Sequence, residues 1–168
     1  LLRGTEVRAL KWLAIAIALL VAAGIGAGRL GWLQGTPPHD LGVKGSRLKP
    51  PSLTPNSVSS QAALYPDHPR RVEAQIAPLH YEGDGAAAMA RLAQFVETTD
   101  GVRIVRRDAD YVYATYTTPL MRYVDDVEFW LDPAGGVIHV RSASRIGESD
   151  LGANRARIEA LRARFEHP

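Results

Sequence analysis

The sequence predicts an α+β domain, an antiparallel β-sheet with two helices on one face, preceded by one N-terminal transmembrane helix and an extended Pro-rich arm. Three observations predict it. An uncharged apolar run extends from Trp12 to Gly28, residues 35–60 hold five of the chain's eleven prolines, and beyond residue 60 the apolar period changes in the order β-α-β-β-β-β-α. The chain therefore divides into an anchor (1–34), a Pro-rich linker or arm (35–60) and a folded domain (61–168). A length of 168 residues, 46% of them hydrophobic and 23% charged, suits one ordinary core with appendages and excludes wholesale disorder.

In the anchor, Arg29 can snorkel toward headgroups while Leu30, Trp32 and Leu33 extend the apolar run to about the 20 residues a bilayer requires. Trp12 and Trp32 are 20 positions apart. On a helix that spacing is about 30 Å, which sets an indole at each interface of one spanning helix from about Val7 to Leu33. A basic start, an apolar core and the small residues Ala22 to Gly28 also describe a cleaved signal peptide, and that alternative stays open. Arg3, Arg8 and Lys11 precede the helix, and Arg29, Lys44, Arg47 and Lys49 follow it. A short basic stretch ahead of a first helix stays cytoplasmic, so the domain is expected on the periplasmic side of a bacterial inner membrane. Small residues recur at Ala14, Ala18, Ala22 and Gly26, with a second row at Gly24 and Gly28. Such rows let another helix approach closely in lipid, although Ala and Gly are also simply common in membrane helices.

The proline-rich stretch is either a flexible spacer or an arm laid along a partner or along the domain surface; fully extended, it would reach on the order of 80 Å. Leu41, Val43, Leu48 and Leu53 are its candidate anchors on a partner. In the domain, Val72 to Leu79 suggests a strand, and Gly85 to Thr98 a helix with Met89, Leu92, Ala93 and Val96 on one face. Val102–Arg107, Tyr111–Thr118, Val124–Leu131 and Val137–Ser144 are β-branched and aromatic strands. A final helix runs from about Leu151 to Phe165, aligning Leu151, Ile158, Leu161 and Phe165. In the last hairpin, only an odd register sum keeps Val127, Phe129 and Leu131 facing Ile138 and Val140, which sets Arg141 opposite Asp126 or Glu128.

Several longer motifs resemble a family. Pro55-Asn56-x-Val58-Ser59-Ser60, Ala77-Pro78-Leu79, Asp125-Asp126-Val127-Glu128-Phe129 and, above all, Val140 to Arg155 resemble DUF1499, a domain family of unknown function in bacteria and plastids, over about residues 48–165. The family usually carries a cysteine pair in a Cys-Pro-x-x-Pro-Asn-Cys stretch. Pro51 and Ser57 stand at those positions here, so no role of that pair carries over.

The resemblance supplies no reaction. The absence of cysteine excludes disulfides, thiolate metal sites and thiol nucleophiles, and the histidines at 39, 68, 80, 139 and 167 have no ligand spacing, so neither metal nor cofactor is expected. Residues 1–60 carry seven basic residues against two acids; residues 61–168 carry thirteen arginines against sixteen acids, which argues against nucleic acid as a partner. The densest polar set is Asp125, Asp126, Glu128, Arg141, Arg145, Asp150, Asn154 and Arg155. Read functionally, arginines beside a Gly147 turn ahead of a helix could bind a carboxylate or phosphate. Read structurally, they pin the last helix to the hairpin, with Ser149 or Asp150 as its N-cap. The leading functional expectation is a non-catalytic accessory or assembly subunit of a larger bacterial membrane complex, respiratory, photosynthetic or envelope. It would contact an integral membrane partner through Ala14, Ala18, Ala22 and Gly26 and through the arm, with the bilayer around it. The alternatives are a tethered module for a small anion or lipid headgroup and a small hydrolase using Asp126 and Glu128.

Overall fold

The computed structural model describes residues 4–166; Arg3 of the basic start and His167 of the histidine set lie outside the described residues. Helix α1 spans Gly4–Arg29. It ends because Gly31 takes φ +82° and the chain closes a Schellman motif, with Trp32 N–H donating to Ala27 O (3.0 Å) and Gly31 N–H to Gly28 O (3.0 Å). Leu33, predicted as the end of the helix, therefore lies beyond it. α1 is long and apolar enough to cross a membrane.

Beyond α1 the elements are β1 (Ser57–Ser59), a 3₁₀ turn (Ala62–Leu64), α2 (Arg71–Ala74), β2 (Leu79–His80), α3 (Gly85–Glu97), β3 (Val102–Arg107), β4 (Tyr111–Thr117), β5 (Val124–Asp132), β6 (Val137–Ser144) and α4 (Ala153–Glu166). The antiparallel sheet has the order β1-β6-β5-β4-β3, and β2 shares the outer edge of β6 with β1. The predicted strand from Val72 to Leu79 is corrected: its first half is the one-turn α2 and only its end is β2. Pro78 has no N–H, so it cannot donate to the ladder, and pairing with β6 begins one residue later.

Residue parity divides the sheet into two faces. On one, Val112, Ala114, Tyr116, Val127, Phe129, Leu131, Ile138 and Val140 join Ala88, Met89, Leu92, Ala93 and Val96 of α3 and Ile158 and Phe165 of α4 in a single core. Asp84 N-caps α3 by accepting from Ala87 N–H (2.7 Å), and Phe95 meets Phe165 edge-on, joining the two helices.

The opposite face carries Tyr111, Tyr113, Asp126, Glu128 and Arg141, and the proline-rich stretch lies against it. Leu48 is fully buried: its N–H donates to Gln61 Oε1 (2.8 Å), and its carbonyl accepts from Tyr65. Leu48, offered above as an anchor on a partner, is thus spent on the chain's own domain, whereas Leu53 is exposed. Ser57, at a position where the related cysteine would stand, accepts Ser52 N–H through its hydroxyl (2.8 Å) and closes the 52–57 loop.

Two close approaches seat the domain against the base of α1. A Cβ on Gly28 would stand 2.2 Å from the Met121 carbonyl oxygen, and one on Gly24 would be 3.1 Å from the Met121 side chain. A Cβ on Gly35 would be 2.7 Å from the Arg145 Cβ. The Gly24/Gly28 row therefore receives the β4–β5 turn of the same chain, while Ala14, Ala18, Ala22 and Gly26 remain exposed.

Candidate functional site

The hairpin register is Glu128 opposite Arg141 and Asp126 opposite Ala143. Both acids therefore point to the arm-covered face. Glu128 is fully buried; its Oε1 accepts from Gly42 N–H of the arm (2.7 Å) and from Tyr111 Oη–H (2.8 Å). Arg141 Nη1 stands 3.7 Å from Glu128 Oε2, which has no hydrogen-bond partner, while Arg141 Nε donates to Pro50 O (3.1 Å). Burial pushes the Glu128 carboxyl up, against the pull of Arg141, and burial pulls Arg141 down, against the pull of Glu128. At 3.7 Å the pair returns less to each ion than desolvation removes.

Beside it, Arg145 forks onto Asp126 through Nε (2.9 Å) and Nη2 (2.8 Å), and Tyr113 Oη–H donates to the same carboxylate (2.5 Å). That hydrogen bonding raises Arg145 further, and burial is the main cause that pushes the Tyr113 phenol up to about 12. A cavity of about 310 Å³ lies between the arm (Thr36, Pro38, Leu41, Pro51) and Asp126, Arg141 and Arg145.

The rest of the predicted polar set lies elsewhere. Asp125 has the parity of the core face and pairs with Arg157 of α4 (2.5 Å). Asn154, fully buried at the start of α4, donates to Asn56 O (2.9 Å) and to Ser144 Oγ (3.1 Å), and bonds the Ser142 hydroxyl. Asp150 accepts from Asn154 N–H (2.7 Å) and Gly152 N–H (3.0 Å), closing the α4 entry. Arg155 belongs to neither ion-pair set and donates to the carbonyls of Glu73 (2.8 Å) and Gln75 (2.9 Å). What reads as one cluster in the sequence is thus two ion-pair sets on opposite faces and a helix cap. Chemically, each is arranged to hold chain segments together: arm to sheet, α4 to β5 and β6, and α4 to the segment entering β1.

Sequence reasoning missed Arg157, Tyr111 and Tyr113. The tyrosines were accessible from parity, since they share the sheet face of Glu128 and Asp126, and each bonds the acid diagonal to it across β4–β5. It also missed the chain Ser60–His139–Asp132, in which Ser60 Oγ is 3.1 Å from His139 Nδ1 and His139 Nε2 is 3.6 Å from Asp132 Oδ2. The residue types are those of a hydrolytic relay, but Ser60 is buried, its Oγ accepts Val140 N–H (2.9 Å), and the imidazole stacks on Trp130 at 5.5 Å. The hydroxyl fastens the segment after β1 to β6 instead of facing a substrate cleft. Among the described residues, no group of three or more His, Asp or Glu side chains is arranged to hold a metal ion.

One apolar N-terminal helix ahead of an antiparallel α+β domain, whose buried charges bind its own segments together, defines a small domain protein with a membrane-span-length helix. The chain belongs to the DUF1499 family, described as a protein of unknown function, whose model matches residues 47–165. The match begins inside the proline-rich stretch, where Leu48 becomes buried. Comparison with curated proteins and with solved structures finds no match.

Proposed function

We propose that this protein is a single-pass, membrane-anchored and non-catalytic accessory or assembly subunit of a larger bacterial membrane complex, with its domain on the periplasmic side. The observation that supports this reading most is the division of labour on α1. Met121 of the chain's own domain fills the Gly24/Gly28 row, and the row Ala14, Ala18, Ala22 and Gly26 stays uncovered along the apolar span. In lipid a flat row of small residues gains by packing against a second helix. The internal pairing of Glu128, Asp126 and Asp125 favours a scaffold over a reacting centre.

Reporter fusions after residue 166 test the sidedness: a reporter active only in the periplasm should work there, and activity of a cytoplasm-only reporter reverses the topology. The double substitution Ala18→Leu and Ala22→Leu should release the chain from its complex while leaving the domain folded. Recovery of a soluble chain beginning after Gly28 would instead establish the leader reading.

A further inference from the structure

The geometry points to a phosphate site for an anionic phospholipid in the groove beneath the β4–β5 turn, which no residue of the predicted polar set other than Arg145 touches. The groove, about 360 Å³, is lined by Gln34, Arg103, Thr115, Thr117, Arg122 and Arg145, together with backbone of the Gly101 turn, and no carboxylate lines it. Arg145 is committed to Asp126. Among the described residues, the side chains of Arg103 and Arg122 have no ion-pair or hydrogen-bond partner, and both residues line this one cavity. The planar N–H fork of a guanidinium suits the oxygens of a phosphate.

The position of the groove commits the phosphate to the bilayer. This step rests on α1 spanning the membrane and not on the association with a complex. Met121 touches Gly24 and Gly28, positions one to five residues inside Arg29, or up to about 7.5 Å along the helix. The β4–β5 turn is therefore held at the headgroup boundary. Leu120 (55% exposed) and Tyr123 (40%) flank it, and Leu30 (67%) and Trp32 (74%) stand at the helix end, an apolar and aromatic rim suited to an interface. Arg122 sits in this turn at φ +61°, a conformation that favours glycine. The turn is fastened by Thr118, whose N–H donates to Tyr123 O (2.9 Å) and whose Oγ1 accepts Tyr123 N–H (2.9 Å).

Native mass spectrometry of the full chain, ejected from nanodiscs of mixed phosphatidylglycerol and phosphatidylcholine, tests the assignment. The wild type should retain phosphatidylglycerol in preference to phosphatidylcholine. Arg103→Gln and Arg122→Gly should each weaken that retention about tenfold, the size of one charge-assisted hydrogen bond. Arg122→Gly is informative because glycine suits the backbone there, so loss of lipid with an unchanged fold cannot be attributed to unfolding. Arg107→Gln, at the far end of β3, should retain lipid as the wild type does. Equal retention of the two lipids, retention unaffected by either groove substitution, or displacement by inorganic phosphate as readily as by lipid would each overturn the site. Carbonate extraction of the wild type from membranes distinguishes failure of the spanning helix, which would remove the basis for the proposal, from failure of the groove alone.

Discussion

Replacing Arg141 with methionine keeps most of the stem's volume and removes the charge that faces Glu128. Glu128 is fully buried and its Oε2 already lacks a hydrogen-bond partner, so the substitution leaves an uncompensated buried carboxylate. Breaking such a pair from one side costs about 3–5 kcal/mol. The lower end applies, about 3 kcal/mol, because the lost contact is a 3.7 Å one and Oε1 keeps the Gly42 amide and the Tyr111 hydroxyl. The pH dependence follows from linkage. The Glu128 carboxyl is raised in the folded chain by burial, and losing the lowering pull of Arg141 raises it further. Between the unfolded and folded values the folded state holds a proton that the unfolded state lacks. Stability is therefore fully present below the ordinary carboxyl range and falls as pH rises through the raised value, by about 1.4 kcal/mol per pH unit per proton. Urea denaturation of the full chain in mild detergent, followed by near-ultraviolet circular dichroism, should show Arg141→Met with a small deficit in acid and its full deficit at neutral pH. Adding Glu128→Gln should recover part of the neutral-pH loss. A deficit that is absent, that does not change with pH, or that Glu128→Gln fails to relieve would refute the reasoning.

Asn154→Ala should destabilise the domain by about 3 kcal/mol in the same assay, since Asn56 O and the Ser142 and Ser144 hydroxyls lose a fully buried partner. Asp84→Ala should cost about 1 kcal/mol through loss of the α3 cap. Gly28→Ala forces a Cβ onto the Met121 carbonyl and should speed amide exchange in the 118–123 turn, whereas Gly26→Ala meets nothing within 4 Å and should not. Ultraviolet titration should find Tyr113 and Tyr116 ionising near 12, each raised mainly by burial, so their contribution to stability is present below the ordinary phenol value and lost as pH rises through about 12.

The central hairpin was legible because its alternation is strong. Val127, Phe129 and Leu131 against Ile138 and Val140 admit one sensible register class, and Glu128–Arg141 falls within it. β3 and β6 have their predicted bounds, and α3 ends one residue before the predicted Thr98. β1 was not legible: Ser-Val-Ser has little apolar signal, and the strand exists because the outer edge of β6 offers unpaired backbone groups there. Val72, Ala74 and Ile76 alternate like a strand, yet Val72 is 80% exposed and the segment turns as α2. The polar set was named residue by residue, but its division between faces depends on where α4 lies, which no local spacing encodes. Asp125 finds Arg157 only because α4 packs over β6 on the core face, from where Arg157 reaches across to β5. The docking of Met121 on Gly24 and Gly28 joins residues almost a hundred positions apart, and nothing in either segment announces the other.

The mass of the particle that carries the wild-type chain, extracted from native membranes in mild detergent and compared with that of the Ala18→Leu and Ala22→Leu double variant, tests the accessory-subunit account most directly. The account predicts a large, stoichiometric membrane assembly for the wild type and a folded, free chain for the variant. A monomeric wild type, or a variant that stays in the same assembly, would contradict it.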